Sequence, residues 1–231
     1  MWNGSSERLE TTRGMCPVQI SPLDALLVID VQNDFCPGGT LAVRDGDAVI
    51  PVIHKIAPLF HHIILTQDWH SPHHQSFASA HPGKHPFEQI ELSYGTQTLW
   101  PDHCVQGTPG ADLRPALRLT QAELILRKGF RPQIDSYSAF FENDRTTATG
   151  LGGYLRERGF TRVFLAGLAY DYCVGYSALD ARRLDFPAVI LRDACRVIDL
   201  NGSVDRIEAE FAAASVKVVP SRELSREDEP A

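Results

Sequence analysis

One cysteine stands where a strand meets a helix. Arg162-Val163-Phe164-Leu165-Ala166-Gly167-Leu168 is an apolar run of strand length, Ala169-Tyr170-Asp171-Tyr172 turns, and Cys173 opens a helical pattern through Val174, Ala178, Leu179 and Ala181. A thiol at a helix start faces unpaired backbone N–H groups and the positive end of the helix dipole, and both favour the thiolate. The same amides can receive negative charge on a carbonyl oxygen attacked by that sulfur. One turn therefore offers a nucleophile and an oxyanion site, against the plainer reading of a buried core cysteine.

Three further groups stand at the ends of apolar runs or in the segment that follows one. Asp30 emerges from Ala25–Ile29, where a carboxylate is costly unless paired or working. Asp68 and His70 follow Ile63–Thr66 two residues apart, so both leave an extended segment on one side. With His103 of Leu99-Trp100-Pro101-Asp102-His103-Cys104 they make an Asp/His/His set suited to zinc, ferrous iron or manganese, with positions left for water or substrate. His74 is a candidate fourth ligand or a supporting donor. Lys128 ends Glu123–Arg127; at such a place a lysine either snorkels to the surface or turns into the cleft, where it would favour both a Cys173 thiolate and an Asp30 carboxylate. The aromatic residues Phe35, Trp69, Trp100 and Tyr137 flank these groups and suit a small planar ligand.

The elements that must position them follow from the hydrophobic pattern. Continuous runs at Ala25–Ile29, Ile63–Thr66, Glu123–Arg127, Val163–Leu168, Ala188–Leu191 and Val216–Val219 fit strands buried on both faces. Helical patterns lie between several of them: Ala48–Phe60, Thr147–Arg158, Tyr172–Leu184 and Ser203–Ala214. That alternation predicts an α/β fold, a doubly wound and mainly parallel sheet with helices on both faces, whose site collects beyond the carboxyl ends of the strands. The segment Trp69–Arg118, rich in His, Pro and Gly, is too long to be an idle connection and is expected to build part of the site. Residues 1–20 read as a flexible arm, 21–220 as one domain and 221–231 as a charged tail.

Composition narrows the function classes. The 231 residues are 43% hydrophobic and 22% charged, with a formal net charge of -7. An acidic surface offers no electrostatic case for nucleic acid or anionic membrane, and no run is long enough to span a bilayer. The five cysteines are an odd number, widely spread and without a C-x-x-C pair, which argues against a disulfide framework and fits a reducing cytoplasm. The expected partner is a small-molecule substrate; a homo-oligomer is left open.

Together, Asp30-Val31-Gln32-Asn33-Asp34-Phe35, Gln67-Asp68-Trp69-His70, Leu99 to Thr108, Lys128-Gly129 and Gly167 to Val174 resemble the nicotinamidases (pyrazinamidases) among the isochorismatase-like cysteine hydrolases. The resemblance runs from Asp24 to Val219. It implies an isochorismatase-like hydrolase domain over 21–220 that deamidates nicotinamide through a thioester in NAD salvage. In that reading Cys173 is the nucleophile, Asp30 the general base and Lys128 the third catalytic residue. Asp68, His70 and His103 hold one divalent ion, taken as zinc with iron or manganese as alternatives, while His74 ligates in some members only. The resemblance also implies an oxyanion hole at the amides of Ala169 and Cys173 with a cis peptide before Ala169. Phe35, Trp100 and Tyr137 match the aromatic residues of the nicotinamide pocket. Tyr170 departs from the family's usual threonine and is expected either to project outward or to crowd the pocket. The alternative activity is hydrolysis of an N-carbamoyl compound or another small amide.

Overall fold

The six continuous apolar runs become the strands of one sheet in the computed structural model, which describes residues 17–226. In chain order the elements are β1 (Val18–Ile20), β2 (Asp24–Ile29), α1 (Val49–Ile56), β3 (His62–Asp68), β4 (Gln89–Leu92), β5 (Gly95–Thr98) and β6 (Leu124–Lys128). They continue with α2 (Leu151–Glu157), β7 (Arg162–Leu168), α3 (Gly175–Arg183), β8 (Ala188–Arg196), α4 (Ser203–Ala214), β9 (Lys217–Val219) and β10 (Leu224–Arg226). The main sheet has the order β6-β3-β2-β7-β8-β9, and every pairing in it is parallel.

Side chains alternate across this sheet as the period of two requires. Leu26 and Val28 of β2 and Phe164 and Ala166 of β7 face α1, which contributes Val49, Ile53 and Ile56. Ala25, Leu27, Ile29, Val163 and Leu165 face the opposite layer, filled by Leu155 of α2, Ala178 of α3, and Ile207 and Phe211 of α4. The fold is thus the doubly wound α/β arrangement that strand–helix alternation predicts.

Several local expectations change. The central strands are buried on both faces, but β6 and β9 are the rims of the sheet, and Ile125 is 51% and Val218 39% exposed. The pattern over Ala48–Phe60 breaks after Ile56, because Pro58 has no N–H to continue an α-helix and a tighter turn follows. The start of α2 is delayed to Leu151. Before it, Asp144 accepts the N–H and hydroxyl of Thr147, and the Thr149 hydroxyl donates to Ala139 O. Val18–Ile20, expected in the arm, pairs in parallel with Leu224–Arg226, expected in the tail. Arg162 anchors this pairing by donating to Gln19 O at 2.6 Å and ion-pairing with Asp24. The rest of both segments, 1–16 and 227–231, lies outside the described residues.

The strand order decides where a site can form. From β2 the chain moves to β3 and β6 on one side, and from β7 to β8 and β9 on the other. The carboxyl ends of β2 and β7 therefore flank a crevice at the switch point. Gly167 brings them close: its φ is +117°, and a Cβ there would lie 2.1 Å from Ile29 O. A side chain at that position would push the two strand ends apart.

Candidate active site

Three charged or nucleophilic groups from three strand ends meet in this crevice. Asp30 follows β2 and is fully buried. Its Oδ1 accepts the Thr66 hydroxyl at 2.5 Å, while its N–H donates to the same hydroxyl oxygen at 3.1 Å. Lys128, the last residue of β6, is also fully buried. Its Nζ lies 2.9 Å from Asp30 Oδ2, 2.9 Å from Asp68 Oδ1 and 3.4 Å from Cys173 Sγ, and it donates to Ser136 O at 2.8 Å. Of the two orientations open to Lys128, the inward one is found. Burial works against its charge, but the two carboxylates hold its pKa well above the ordinary lysine range.

Cys173 sits in the irregular turn Tyr170–Val174 that leads directly into α3. Opposing influences act on its charge: the helix start favours the thiolate, and burial opposes it. Burial pushes the Cys173 thiol well above its usual pKa, Lys128 pulls it down, and Asp30 and Asp68 push it up again. The resting group is the thiol, whose sulfur lies 3.4 Å from Lys128 Nζ. Burial also raises Asp30 above the usual carboxylate range, against the pull of Lys128. A carboxylate so raised is better matched to accepting a thiol proton than an ordinary one. Cys36 and Cys195, which do not line the pocket, are buried thiols pushed up to about 11 and about 12 by desolvation.

The ligand set converges beside them. Asp68 Oδ2 lies 3.1 Å from His70 Nε2 and 3.5 Å from His103 Nε2, and one donor atom from each residue falls within 4.8 Å of the others. His70 Nδ1–H donates to Gly129 O at 2.9 Å and His103 Nδ1–H to Pro101 O at 2.7 Å. A carbonyl can only accept, so Nδ1 of each ring carries a proton, and Nε2, turned towards Asp68, is the atom each ring would offer a cation. Gln32 fixes Asp68 itself, accepting its N–H at 2.8 Å and donating to its carbonyl at 2.8 Å. This donor set, with its outer hydrogen bonds already made, fits a divalent cation. His74 differs: Nε2–H donates to Arg131 O at 2.7 Å, and Nδ1 accepts the Ser76 N–H at 3.1 Å. Both its nitrogens have protein partners, and its ring packs 4.4 Å from that of His70.

Gly129 makes this close approach feasible. Its φ is +65°, and a Cβ would stand 2.7 Å from His70 Cε1 and 3.0 Å from Asp68 Oδ1. Gly129→Ala is therefore expected to weaken divalent-cation binding about 10- to 100-fold, measured by competition against a chelating dye.

Of these residues, Asp68, His103 and Cys173 line one pocket. Phe35, Trp100 and Tyr137 supply aromatic walls, and Asp68, His103, Ala169 and Cys173 line the same pocket. The Leu168–Ala169 peptide is cis, as the resemblance implies. Tyr170 does not crowd this space. Its hydroxyl donates to Glu208 at 3.0 Å, and its ring packs edge-on against Phe211 and beneath Arg192.

The isochorismatase domain matches residues 24–218. The chain belongs to that family. It is similar to a curated nicotinamidase of Acinetobacter baylyi, 52% identical over 200 residues that cover 87% of this chain and 94% of that protein. Among solved structures it resembles the L. infantum protein in complex with nicotinate, with a TM-score of 0.80 and 38% identity over 91% of this chain and all of that one. It also resembles a pyrazinamidase of Pyrococcus horikoshii in complex with zinc, with a TM-score of 0.67 and 34% identity over 86% and 99% of the two chains.

Within this isochorismatase domain, sequence reasoning missed several pocket residues. Leu41, Asp135, Tyr172 and Ile198 line it too. Asp135 comes from an irregular segment without periodicity, and its Oδ1 lies 3.8 Å from His70 Nε2. Asp171 does not face the pocket. It accepts the N–H groups of Ile198 and Asp199 and the hydroxyl of Ser203, tying the loop that carries Ile198 to the Cys173 turn. A signal for Asp171 was available, since a carboxylate two residues before a candidate nucleophile invites the question of what it holds.

Proposed function

We propose that this protein is a nicotinamidase, hydrolysing nicotinamide to nicotinate and ammonia, and pyrazinamide likewise, as a step of NAD salvage. The observation that carries this is the position of Lys128 Nζ, 2.9 Å from two buried carboxylates and 3.4 Å from Cys173 Sγ in an aromatic-walled pocket. The curated nicotinamidase relative, at 52% identity, supplies the substrate class.

In this reading Asp30 takes the Sγ proton of Cys173 as the sulfur attacks the carboxamide carbon. The amides of Ala169 and Cys173 receive the oxygen's charge. Asp30 then returns the proton to the departing nitrogen, the C–N bond breaks, ammonia leaves and a thioester remains on Cys173. Asp30 next accepts a proton from water, whose oxygen attacks the acyl carbon. The C–S bond breaks, nicotinate forms and the sulfur recovers its proton. Lys128 stays protonated throughout and offsets negative charge on whichever of Asp30 and Cys173 carries it. Phe35, Trp100 and Tyr137 hold the pyridine ring between them. Asp68, His70 and His103 would hold a divalent cation, which we assign as zinc on the two-imidazole, one-carboxylate donor set, while His74 supports the His70 ring. When bound, that ion would supply a Lewis-acidic positive charge to the pocket. We place the enzyme in the cytoplasm, where its thiols stay reduced.

A resting thiol served by a raised carboxylate base dictates the pH profile. As pH falls, Asp30 takes up a proton and can no longer accept one from Cys173. The acid limb of kcat/KM is therefore expected above the ordinary carboxylate range, and Asp30→Asn is expected to remove that limb while lowering the rate about 100- to 10,000-fold. The substrate assignment is tested by ammonia release from a panel of amides. Nicotinamide is expected to exceed N-carbamoyl compounds and simple aliphatic amides in kcat/KM by about tenfold or more. Preference for an N-carbamoyl substrate would overturn it.

A further inference from the structure

The wall of the pocket between β6 and α2 has no regular structure to hold it. Residues 129–150 contain neither helix nor strand, yet Asp135 and Tyr137 in that segment face Cys173 across the pocket, and Ser136 between them offers its carbonyl to Lys128. Such a segment must be fixed by side-chain hydrogen bonds.

The bonds at Asp135, Tyr137 and Asn143 converge on one residue of the β4–β5 hairpin. Gln97 is 1% exposed. Its amide nitrogen lies 2.6 Å from Thr98 O, 3.0 Å from Asp135 Oδ2 and 3.1 Å from Tyr137 Oη. Its amide oxygen accepts the Tyr94 hydroxyl at 3.1 Å and Asn143 Nδ2 at 3.2 Å. Asn143 completes the bracket: its Oδ1 accepts the Tyr137 N–H at 3.0 Å, and its own N–H donates to Asp135 O at 2.7 Å. Tyr137 Oη also accepts Trp100 Nε1–H at 3.1 Å, so the Gln97 amide links two aromatic walls of the pocket.

We infer that Gln97 is a positioning residue for substrate binding. Its side-chain amide sets the places of Asp135 and Tyr137, and through them the shape of the ring pocket opposite Cys173. The chemistry requires an amide. The position needs a donor towards a carboxylate and a phenol oxygen, and an acceptor for a hydroxyl and an NH₂. Glutamate would set a second carboxylate against Asp135, and methionine would remove all five of these hydrogen bonds. Gln97 itself does not line the pocket, so its effect must pass through the two residues it holds.

This inference rests on the nicotinamidase reading, and the test separates the two. Wild type, Gln97→Met and Asn143→Asp are compared by steady-state turnover of nicotinamide, thermal melting and metal content. Asn143→Asp removes one donor to Gln97 while keeping the acceptor for the Tyr137 N–H, and it stands if the methionine variant fails to fold. Gln97→Met is expected to raise KM about tenfold or more with kcat changed less than about threefold, and Asn143→Asp to shift KM the same way by less. In a Tyr137→Phe background the effect of Gln97→Met is expected to shrink, because one of the two linked walls no longer depends on it. Unchanged KM in a folded, metal-loaded Gln97→Met protein would overturn the inference, as would a fall in kcat alone. A wild-type protein inactive on nicotinamide would count against the nicotinamidase reading instead.

Discussion

Lys128→Met is expected to lower kcat/KM about 100- to 1,000-fold and to destabilise the fold by about 3–5 kcal/mol. The cation stands 2.9 Å from Asp30 and 2.9 Å from Asp68, and all three groups are buried. Its removal leaves Asp30 buried without its cation, which costs far more than the ion pair's net contribution. In a domain of this size that loss corresponds to roughly 6–20 °C in Tm. The sign of the pH dependence follows. Without the lysine, the folded-state pKa of Asp30 rises further above its unfolded value, so the variant regains stability as pH falls and loses it as pH rises. Lys128→Arg is not expected to rescue, because a planar guanidinium needs more room than a fully buried ammonium. Lys55→Met, on the exposed face of α1, is the control and is expected to change neither quantity. Thermal melts at two pH values with steady-state assays on the same samples check all of these outcomes.

The residues that sequence alone could reach share one property: each charged or polar group ends or closely follows an apolar run. Asp30 and Lys128 stand at the ends of continuous strands, and the period of two puts Asp68 and His70 on one side. Their separation of 3.1 Å follows from that spacing. What was hidden depends on contacts between segments far apart in the chain. Gln97 reaches Asp135 and Tyr137 across about forty residues, from a short hairpin to a loop, and neither element has a periodic signal. The direction of Tyr170 was equally out of reach, since an irregular turn follows neither the strand nor the helix period. The surroundings of Cys173 were out of reach for a related reason. The helix start favours a thiolate, but the walls that bury it and the two carboxylates beside it come from other segments, and these push the thiol pKa up.

Cys173→Ala carries the largest expected effect, because every bond made or broken to the acyl group passes through Sγ. The remaining oxyanion site, ring pocket and ligand set can still bind nicotinamide, so the loss falls on kcat and is expected to reach at least about 10,000-fold. The substitution removes one buried sulfur and leaves Lys128 paired with Asp30 and Asp68, so folding and metal binding are expected to persist. Cys36→Ala removes a buried thiol outside the pocket and serves as the control, with turnover expected to remain near that of wild type. The decisive measurement is ammonia release from nicotinamide by purified Cys173→Ala protein whose Tm and metal content match wild type. The account predicts no release above the enzyme-free rate. Turnover near the wild-type rate would contradict it, and would move the attack on the amide carbon from the thiol to another group in the pocket.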